Sequence, residues 1–376
     1  MIALLAPALF ALAISSPPQD TAKPSRSAPP AHSAATFEQL AQDAKSAREA
    51  NRDDAAIDAY RQALKLKPEW DEGLWYLGAL LYEKEDNFEA CTVLRRFLAQ
   101  HPENGYGWAL LGMSEFQIRE YTRALDHLQQ GLVQGLGDNK RMIGTVTYVV
   151  AILLTRNEQF DAGMTLLFTQ VASGAAAAPL VEPFGLAALR LPLLPAEIPP
   201  GRREMVQMAG AAVIALQAQK YDEAGKLFTQ LETKYPDQPG VHFLVGVYLL
   251  GVRPDDGIKE LKREIEISPS HVSARLRLAE EYIKRQDNDQ GISYAQEALK
   301  LAPKDGLAHM VLGEALVAKG DSAAGMRELE TARDALPDEV RIRWDLFRAY
   351  TAAGRAEDAA REKGEIERLS KQDATH

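Results

Sequence analysis

The 376-residue sequence contains a single cysteine, Cys91. One thiol excludes an intramolecular disulfide framework and a multi-cysteine metal site. Cys91 lies inside a predicted helix, so we interpret it as a small buried hydrophobe rather than a nucleophile. The sequence also lacks a phosphate-binding glycine loop and a Gly-x-Ser-x-Gly nucleophile motif, and no two histidines pair at zinc-site spacing. We therefore expect that the protein is not an enzyme and that it has no cofactor and no metal site.

The sequence also has fewer basic than acidic residues. Lys and Arg total 43 against 53 Asp and Glu, giving a formal net charge of −10. Nucleic acids and anionic membranes are bound through a basic surface, which this balance does not favour. The composition therefore argues against both as partners.

A long apolar run occurs only at the N-terminus, in "MIALLAPALFALAISS". The run is short for a bilayer-spanning helix and matches the apolar part of a secretory signal, with Ala11-Leu12-Ala13 as the small–x–small cleavage pattern. We expect a signal peptide over residues 1–13 and export to the periplasm or outside the cell, with no stable membrane span after cleavage. An uncleaved signal would leave a membrane anchor. Residues 14–36 are rich in Pro, Ser and Ala and predict a disordered leader.

Proline recurs at the ends of helical patterns with a nearly constant spacing. The prolines are Pro68, Pro102, Pro236, Pro269, Pro303 and Pro337, and the steps within each of the two runs are 33 or 34 residues. Because proline ends a helix, each marks a turn between two helices.

Small residues recur between these prolines in two sets. The set near the start of each second helix is Ala56, Ala90, Ala124, Ala162, Ala224, Gly257, Gly291, Gly325 and Ala359, and the set in the first helix is Ala44, Gly78, Gly112, Ala212, Gly246, Ala279 and Gly313. Antiparallel helices approach closely where side chains are small, so the pattern predicts tightly packed helix hairpins.

Together these features resemble the tetratricopeptide repeat, whose pattern W-x2-L-G-x2-Y, A-x3-F, P has a period of 34. The second copy reads Leu74-x2-Leu77-Gly78-x2-Leu81, Ala90-x3-Leu94, Pro102. The resemblance implies an all-α solenoid, or superhelix, of about nine helix hairpins in an exported bacterial protein. We place repeats near residues 37, 71, 105 and 143 in an N-terminal block (37–176). Further repeats near 205, 239, 272, 306 and 340 form a C-terminal block (205–376), and 177–204 is an insertion.

In the family, the first helices of the repeats line a concave groove that binds partner proteins, which implies a non-catalytic scaffold here. The matching positions of repeats two to four are rich in aromatic side chains, which recur at binding hot spots. The candidate groove residues are Trp75, Tyr76, Tyr82, Tyr106, Met113, Phe116, Tyr148 and Leu154. We expect them to bind a peptide or helix segment with apolar anchors. The alternative is that some of them pack between neighbouring repeats.

The later repeats favour other roles at the same positions. Repeats five and six are apolar there, with Val206, Val213, Leu216, Phe243, Leu244, Val247 and Leu250. A continuous apolar patch favours an alternative function, a structural or self-associating module of cell-envelope assembly that forms a homo-oligomer. Repeats seven to nine are charged but lack the Lys/Asn set that clamps a peptide carboxylate in some family members. His242 and His309 occupy the family's Trp position, and we interpret both as packed or rim residues.

The insertion contains the sequence "PFGLAALRLPLLPAEIPP" (183–200). Glu182–Leu191 predicts a short helix, and the proline-rich Pro192–Pro200 predicts extended chain. A free linker does not carry so many leucines. We therefore predict that the insertion packs down, over the fourth repeat or over the apolar face of repeats five and six.

Overall fold

A computed structural model describes residues 36–373 of the chain. The expected signal peptide and the leader up to residue 35 lie outside the described residues. Within the described part the fold is all-α, with nineteen α-helices and no strand. The chain divides into two compact units: the first runs to Pro183 and includes Pro192–Ile198, and the second comprises Phe184–Leu191 and everything from Pro199. Each unit is an α-solenoid of stacked helix hairpins.

Four antiparallel hairpins build the first unit. They are α1 (Phe37–Glu49) with α2 (Asp53–Leu66), α3 (Asp71–Glu83) with α4 (Asn87–Leu98), α5 (Gly105–Gln117) with α6 (Tyr121–Gln134), and α7 (Lys140–Arg156) with α8 (Phe160–Ala172). Each hairpin packs on the next through α2 with α3, α4 with α5, and α6 with α7.

Five hairpins build the second unit. They are α10 (Pro200–Gln217) with α11 (Tyr221–Lys234), α12 (Val241–Leu250) with α13 (Pro254–Ile267), α14 (Val272–Lys284) with α15 (Asn288–Leu301), α16 (Gly306–Lys319) with α17 (Ser322–Ala335), and α18 (Val340–Ala352) with α19 (Ala356–Asp373). The remaining helix, α9 (Val181–Ala188), begins in the first unit and enters the second at Phe184.

Local sequence signals account for where the helices begin and reverse. Asp86, Asn104 and Asp305 each accept a hydrogen bond from a backbone N–H three residues on, which caps α4, α5 and α16. Most hairpin turns contain one non-glycine residue in the left-handed region, with φ from 53° to 66°. These residues are Asn51, Glu85, Arg119, Glu158, Gln219 and Gln286.

The hairpin cores are built on the small residues of the first helices. Leu94 of α4 lies against Gly78, and Leu128 of α6 lies against Gly112, in the space that a Cβ would occupy. The second helix therefore supplies a leucine at these contacts, rather than only the small residue of the second predicted set. Cys91 is 2% exposed inside this core, and burial raises its pKa to about 11, which confirms its interpretation as a buried hydrophobe.

The insertion is packed, as its leucine content indicates. In α9 and the residue after it, Phe184, Leu186 and Leu189 are buried. The α9 backbone at Gly185 lies against the Val206 carbonyl of α10, so no Cβ fits there. This contact places α9 on α10, the first helix of repeat five.

Two further contacts continue this packing, one in each unit. Gly240, with φ +88°, lies so close to the Leu189 carbonyl that a Cβ would clash. The next segment, Pro192–Ile198, belongs to the first unit: Leu194 joins the core of α5–α7, and Glu197 pairs with Arg156. The two parts of the insertion thus pack in different units.

Candidate partner-binding surface

The eight candidate groove residues lie on α3, α5 and α7, the first helices of repeats two to four. Six of them are half-buried, so each keeps part of its ring in solvent: Trp75, Tyr76, Tyr82, Tyr106, Phe116 and Tyr148. Met113 and Leu154 are 5% and 4% exposed and belong to the core between α5, α6 and α7. These two side chains lie beneath the surface residues and offer a partner little contact area.

The α3 rings are held in place by their own neighbours. The Trp75 ring lies 5.2 Å from that of Phe97 on α4. Tyr76 stacks at 6.2 Å on Tyr60 of α2, and the Arg48 guanidinium lies 3.7 Å from the centre of the Tyr76 ring. These contacts fix the orientation of both rings, which are half-buried.

A second group of rings surrounds the core of α5–α7. Tyr82, Phe116 and Tyr148 all pack against this core. Burial raises the pKa of both Tyr82 and Tyr148, so these phenols stay neutral across the physiological range. Phe116 lies 5.7 Å from Tyr121, whose other neighbour is the Arg156 guanidinium at 4.8 Å. The result is an aromatic surface on three helices, with the guanidinium groups of Arg48 and Arg156 beside its rings.

A buried carboxylate stabilises the helices behind this surface. Glu115 on α5 is fully buried and lies 2.6 Å from both Arg95 on α4 and His127 on α6. Burial acts to raise the pKa of Glu115, but the hydrogen bonds to His127 and Arg95 outweigh it and hold that pKa below its usual range. Because every partner is satisfied, this cluster fixes three helices and is not available to a ligand.

The apolar face of repeats five and six is largely covered. Seven residues were predicted to form a patch. Four of them are buried: Val206, Val213, Phe243 and Leu244. Val247, at 36%, is the only one of the seven that is exposed. Helix α9 and Arg190, whose guanidinium lies 5.1 Å from the Phe243 ring, occupy this region. The expected solvent-facing patch is therefore mostly internal packing of the second unit.

The charged residues of repeats seven to nine form one network across α14, α16 and α18. The Arg341 guanidinium bridges Glu280 at 3.2 Å and Glu314 at 2.7 Å, and Arg348 pairs with Asp345. One oxygen each of Glu314 and Asp345 is buried without a hydrogen-bond donor. Burial, and then the adjacent Asp345 carboxyl, raise the pKa of Glu314 to about 8.

Repeats five and six contain a cluster of titratable side chains that the sequence spacing did not predict. Glu232 on α11, His242 on α12 and Glu260 on α13 converge, with their ligand atoms all within 4.8 Å of one another. His242 is 6% exposed and lies 2.5 Å from Glu260 through Nδ1. The residues are 10 and 18 positions apart along the chain, a spacing that only the stacking of three helices brings together.

His242 belongs to a recurring contact at the family's Trp position. Trp108, His242, His309 and Arg343 each donate to the carbonyl of the proline six residues earlier, at 2.6 to 3.2 Å. In these four repeats the side chain at this position ties the start of the first helix to the preceding turn. Both histidines are packed, as interpreted from the sequence.

Among residues 36–373, no helix is both long enough and apolar enough to cross a membrane. Two segments match tetratricopeptide-repeat families, residues 72–104 and residues 276–328. No curated protein matches the chain.

Similar solved structures include several of MamA. A MamA RS-1 double mutant is 16% identical with a TM-score of 0.41, and the match covers 46% of this chain and 98% of that one. MamA from Desulfovibrio magneticus RS-1, from residue 41 to its end, is 15% identical with a TM-score of 0.38, covering 46% and 97%. A MamA AMB-1 structure is 20% identical with a TM-score of 0.37, covering 43% and 96%.

Proposed function

We propose that this tetratricopeptide-repeat protein is a non-catalytic scaffold that binds a segment of another protein on α3, α5 and α7. The observation that carries the proposal is the row of half-buried aromatic rings on three successive first helices. Their backs are fixed by packing, so little rotamer entropy is lost when a partner covers the exposed faces. A peptide or helix with apolar anchors fits such an aromatic surface.

The test removes two rings whose loss leaves the buried core in place. The double variant Tyr82→Ala, Phe116→Ala should weaken partner capture from a periplasmic extract about thirtyfold or more, because an aromatic hot spot contributes about 2 kcal/mol or more. Helicity, followed by circular dichroism, should stay near the wild-type value.

A matched control uses aromatic side chains on second helices. Phe88 on α4 and Tyr221 on α11 are 75% and 59% exposed, and the double variant Phe88→Ala, Tyr221→Ala should capture the same partners as the wild type. Equal capture by the Tyr82/Phe116 variant and the wild type would place the binding surface elsewhere.

Self-association in cell-envelope assembly, the alternative function, has less support. Its basis was the apolar face of repeats five and six, and that face is mostly covered within the second unit. A molar mass that does not change with protein concentration in light scattering would rule out self-association.

Export is part of the proposal and rests on the apolar N-terminal run and its Ala11-Leu12-Ala13 pattern. N-terminal sequencing of the protein recovered from the periplasm or the medium tests it. A chain that begins at Ile14 supports cleavage after Ala13, and an intact Met1 in the membrane fraction supports an uncleaved anchor.

A further inference from the structure

The cluster of Glu232, His242 and Glu260 has one chemical feature that packing does not explain. The Nε2 atom of His242 lies 2.6 Å from the Pro236 carbonyl oxygen. A carbonyl oxygen only accepts, so Nε2 carries the hydrogen and donates it. In the neutral ring Nδ1 then has a lone pair, and this lone pair faces a Glu260 oxygen 2.5 Å away. Two acceptors at that distance require a proton between them, and a metal ion bound to both would hold them about 3.4 Å apart.

Repeat eight provides an internal comparison. His309 lies 3.2 Å from the Pro303 carbonyl through Nε2 and 2.7 Å from Glu328 through Nδ1. The difference lies at the third position: Leu299 stands 67 residues after Glu232, the same separation as from His242 to His309. The pair in repeat eight has one carboxylate beside the imidazole, whereas Glu232 adds a second carboxylate beside His242.

Glu232 is otherwise unexplained by the fold. It is half-buried, and in the described part of the chain it makes no hydrogen bond or ion pair. Its ligand oxygen lies within 4.8 Å of that of Glu260. A carboxyl held beside another carboxyl costs stability unless a cation balances both. A leucine at this position, like Leu299 on α15, would carry no such cost.

We propose that Glu232, His242 and Glu260 bind one divalent transition-metal ion of the zinc class. One imidazole nitrogen and two carboxylates suit Zn²⁺, and their two negative charges balance the ion. Ligands about 2.1 Å from a tetrahedral ion lie about 3.4 Å apart, within reach of the present cluster after Glu260 moves back slightly. The Pro236 carbonyl fixes the His242 tautomer so that Nδ1 points at the ion. A water completes the coordination, and the ion ties α11 to α12 and α13.

The experiment measures Zn²⁺ bound by the full-length chain without a histidine tag, by equilibrium dialysis and metal analysis. The wild type should retain one equivalent, and roughly a hundredfold excess of Mg²⁺ should not displace it, since Mg²⁺ prefers an all-oxygen shell. Glu232→Leu, which reproduces the arrangement of repeat eight, should lower the affinity at least about tenfold. Zn²⁺ should raise the melting temperature of the wild type and not that of Glu232→Leu.

Glu328→Gln, the matched change in repeat eight, should keep the equivalent of Zn²⁺ that the wild type binds. A wild-type chain that takes up no Zn²⁺, or a Glu232→Leu chain that binds it as tightly as the wild type, would overturn the proposal. Loss of the ion in Glu328→Gln but not in Glu232→Leu would overturn it as well. None of these outcomes depends on partner binding to α3, α5 and α7, so the two proposals are tested separately.

Discussion

At the scale of single residues, the burial of His271 makes the stability of the fold depend on pH. Its Nδ1 accepts the backbone N–H of Ala274 at 3.1 Å and so caps α14, and its ring lies 4.7 Å from that of Phe243. Burial lowers its pKa from 6.5 to about 4, and the charges of Arg190 and Arg275 act in the same direction. The folded chain therefore holds this imidazole neutral.

This shift predicts a loss of stability in acid. Between pH 6.5 and pH 4 the unfolded chain binds a proton on His271 that the folded chain does not, so the free energy of unfolding should fall by about 3 kcal/mol over that range. His271→Asn keeps a good N-cap residue and removes the titration. Urea unfolding at pH 7, 5.5 and 4 should show a shallower decline for the variant than for the wild type.

His101→Asn serves as the control, because His101 is half-exposed between Asp71 and Glu103. It should preserve the wild-type decline with pH. An identical decline in His271→Asn and wild type would mean that other groups account for the acid sensitivity.

At the scale of elements, α9 is held by a contact of backbone on backbone. A Cβ on Gly185 would meet the Val206 carbonyl, whereas a Cβ on Gly201, at the start of α10, would meet nothing within 4 Å. We expect Gly185→Ala to lower the free energy of unfolding by about 1–3 kcal/mol, as overpacking does. Gly201→Ala should raise it by about 0.5–1 kcal/mol, because alanine reduces the entropy of the unfolded chain.

Chemical denaturation of the two alanine variants beside the wild type measures both effects. The contact is tested by whether the free energy of unfolding falls in Gly185→Ala and rises in Gly201→Ala. If Gly185→Ala were as stable as Gly201→Ala, the α9–α10 contact would be looser than the structure has it.

The hairpins could be predicted from the sequence, because proline and small-residue spacing report directly on helix ends and helix contacts. The helical part of the insertion was also visible, although α9 spans Val181–Ala188 and α10 begins earlier than expected, at Pro200. The register of repeats placed the aromatic rings on the first helices. It did not reveal that Met113 and Leu154 are buried, since burial depends on how α6 and α7 pack beside α5. The Glu232 cluster joins three helices and leaves no local sequence signal.

At the scale of the whole molecule, the unit boundaries do not follow the order of the chain. Residues 184–191 belong to the second unit, yet they come before 192–198, which belong to the first. A boundary placed at the end of the insertion would therefore remove part of the second unit's core, including buried Phe184, Leu186 and Leu189.

This arrangement predicts different behaviour for two C-terminal fragments. A fragment beginning at Val181 keeps α9 on α10 and α12 and should unfold cooperatively. One beginning at Pro199 exposes the surface that α9 covers, and the loss of three large apolar side chains should cost about 4 kcal/mol or more. Thermal unfolding and light scattering of the two fragments provide the comparison: the shorter one should melt earlier and aggregate. Equal melting temperatures would show that α9 contributes little.

Repeat arrays usually grow and shrink by whole units, because each repeat contacts only its neighbours and a duplicated copy meets the same surfaces as the original. Helix α9 breaks that rule for this chain. It is not part of any repeat, yet its backbone fits closely against Val206 in repeat five, and Leu189, the residue after it, lies against Gly240 at the start of repeat six. A gene duplication or deletion that removed or separated those two repeats would leave α9 without its partners. Repeats five and six are therefore expected to be inherited together with the insertion as one segment, while the last repeats remain free to vary in number.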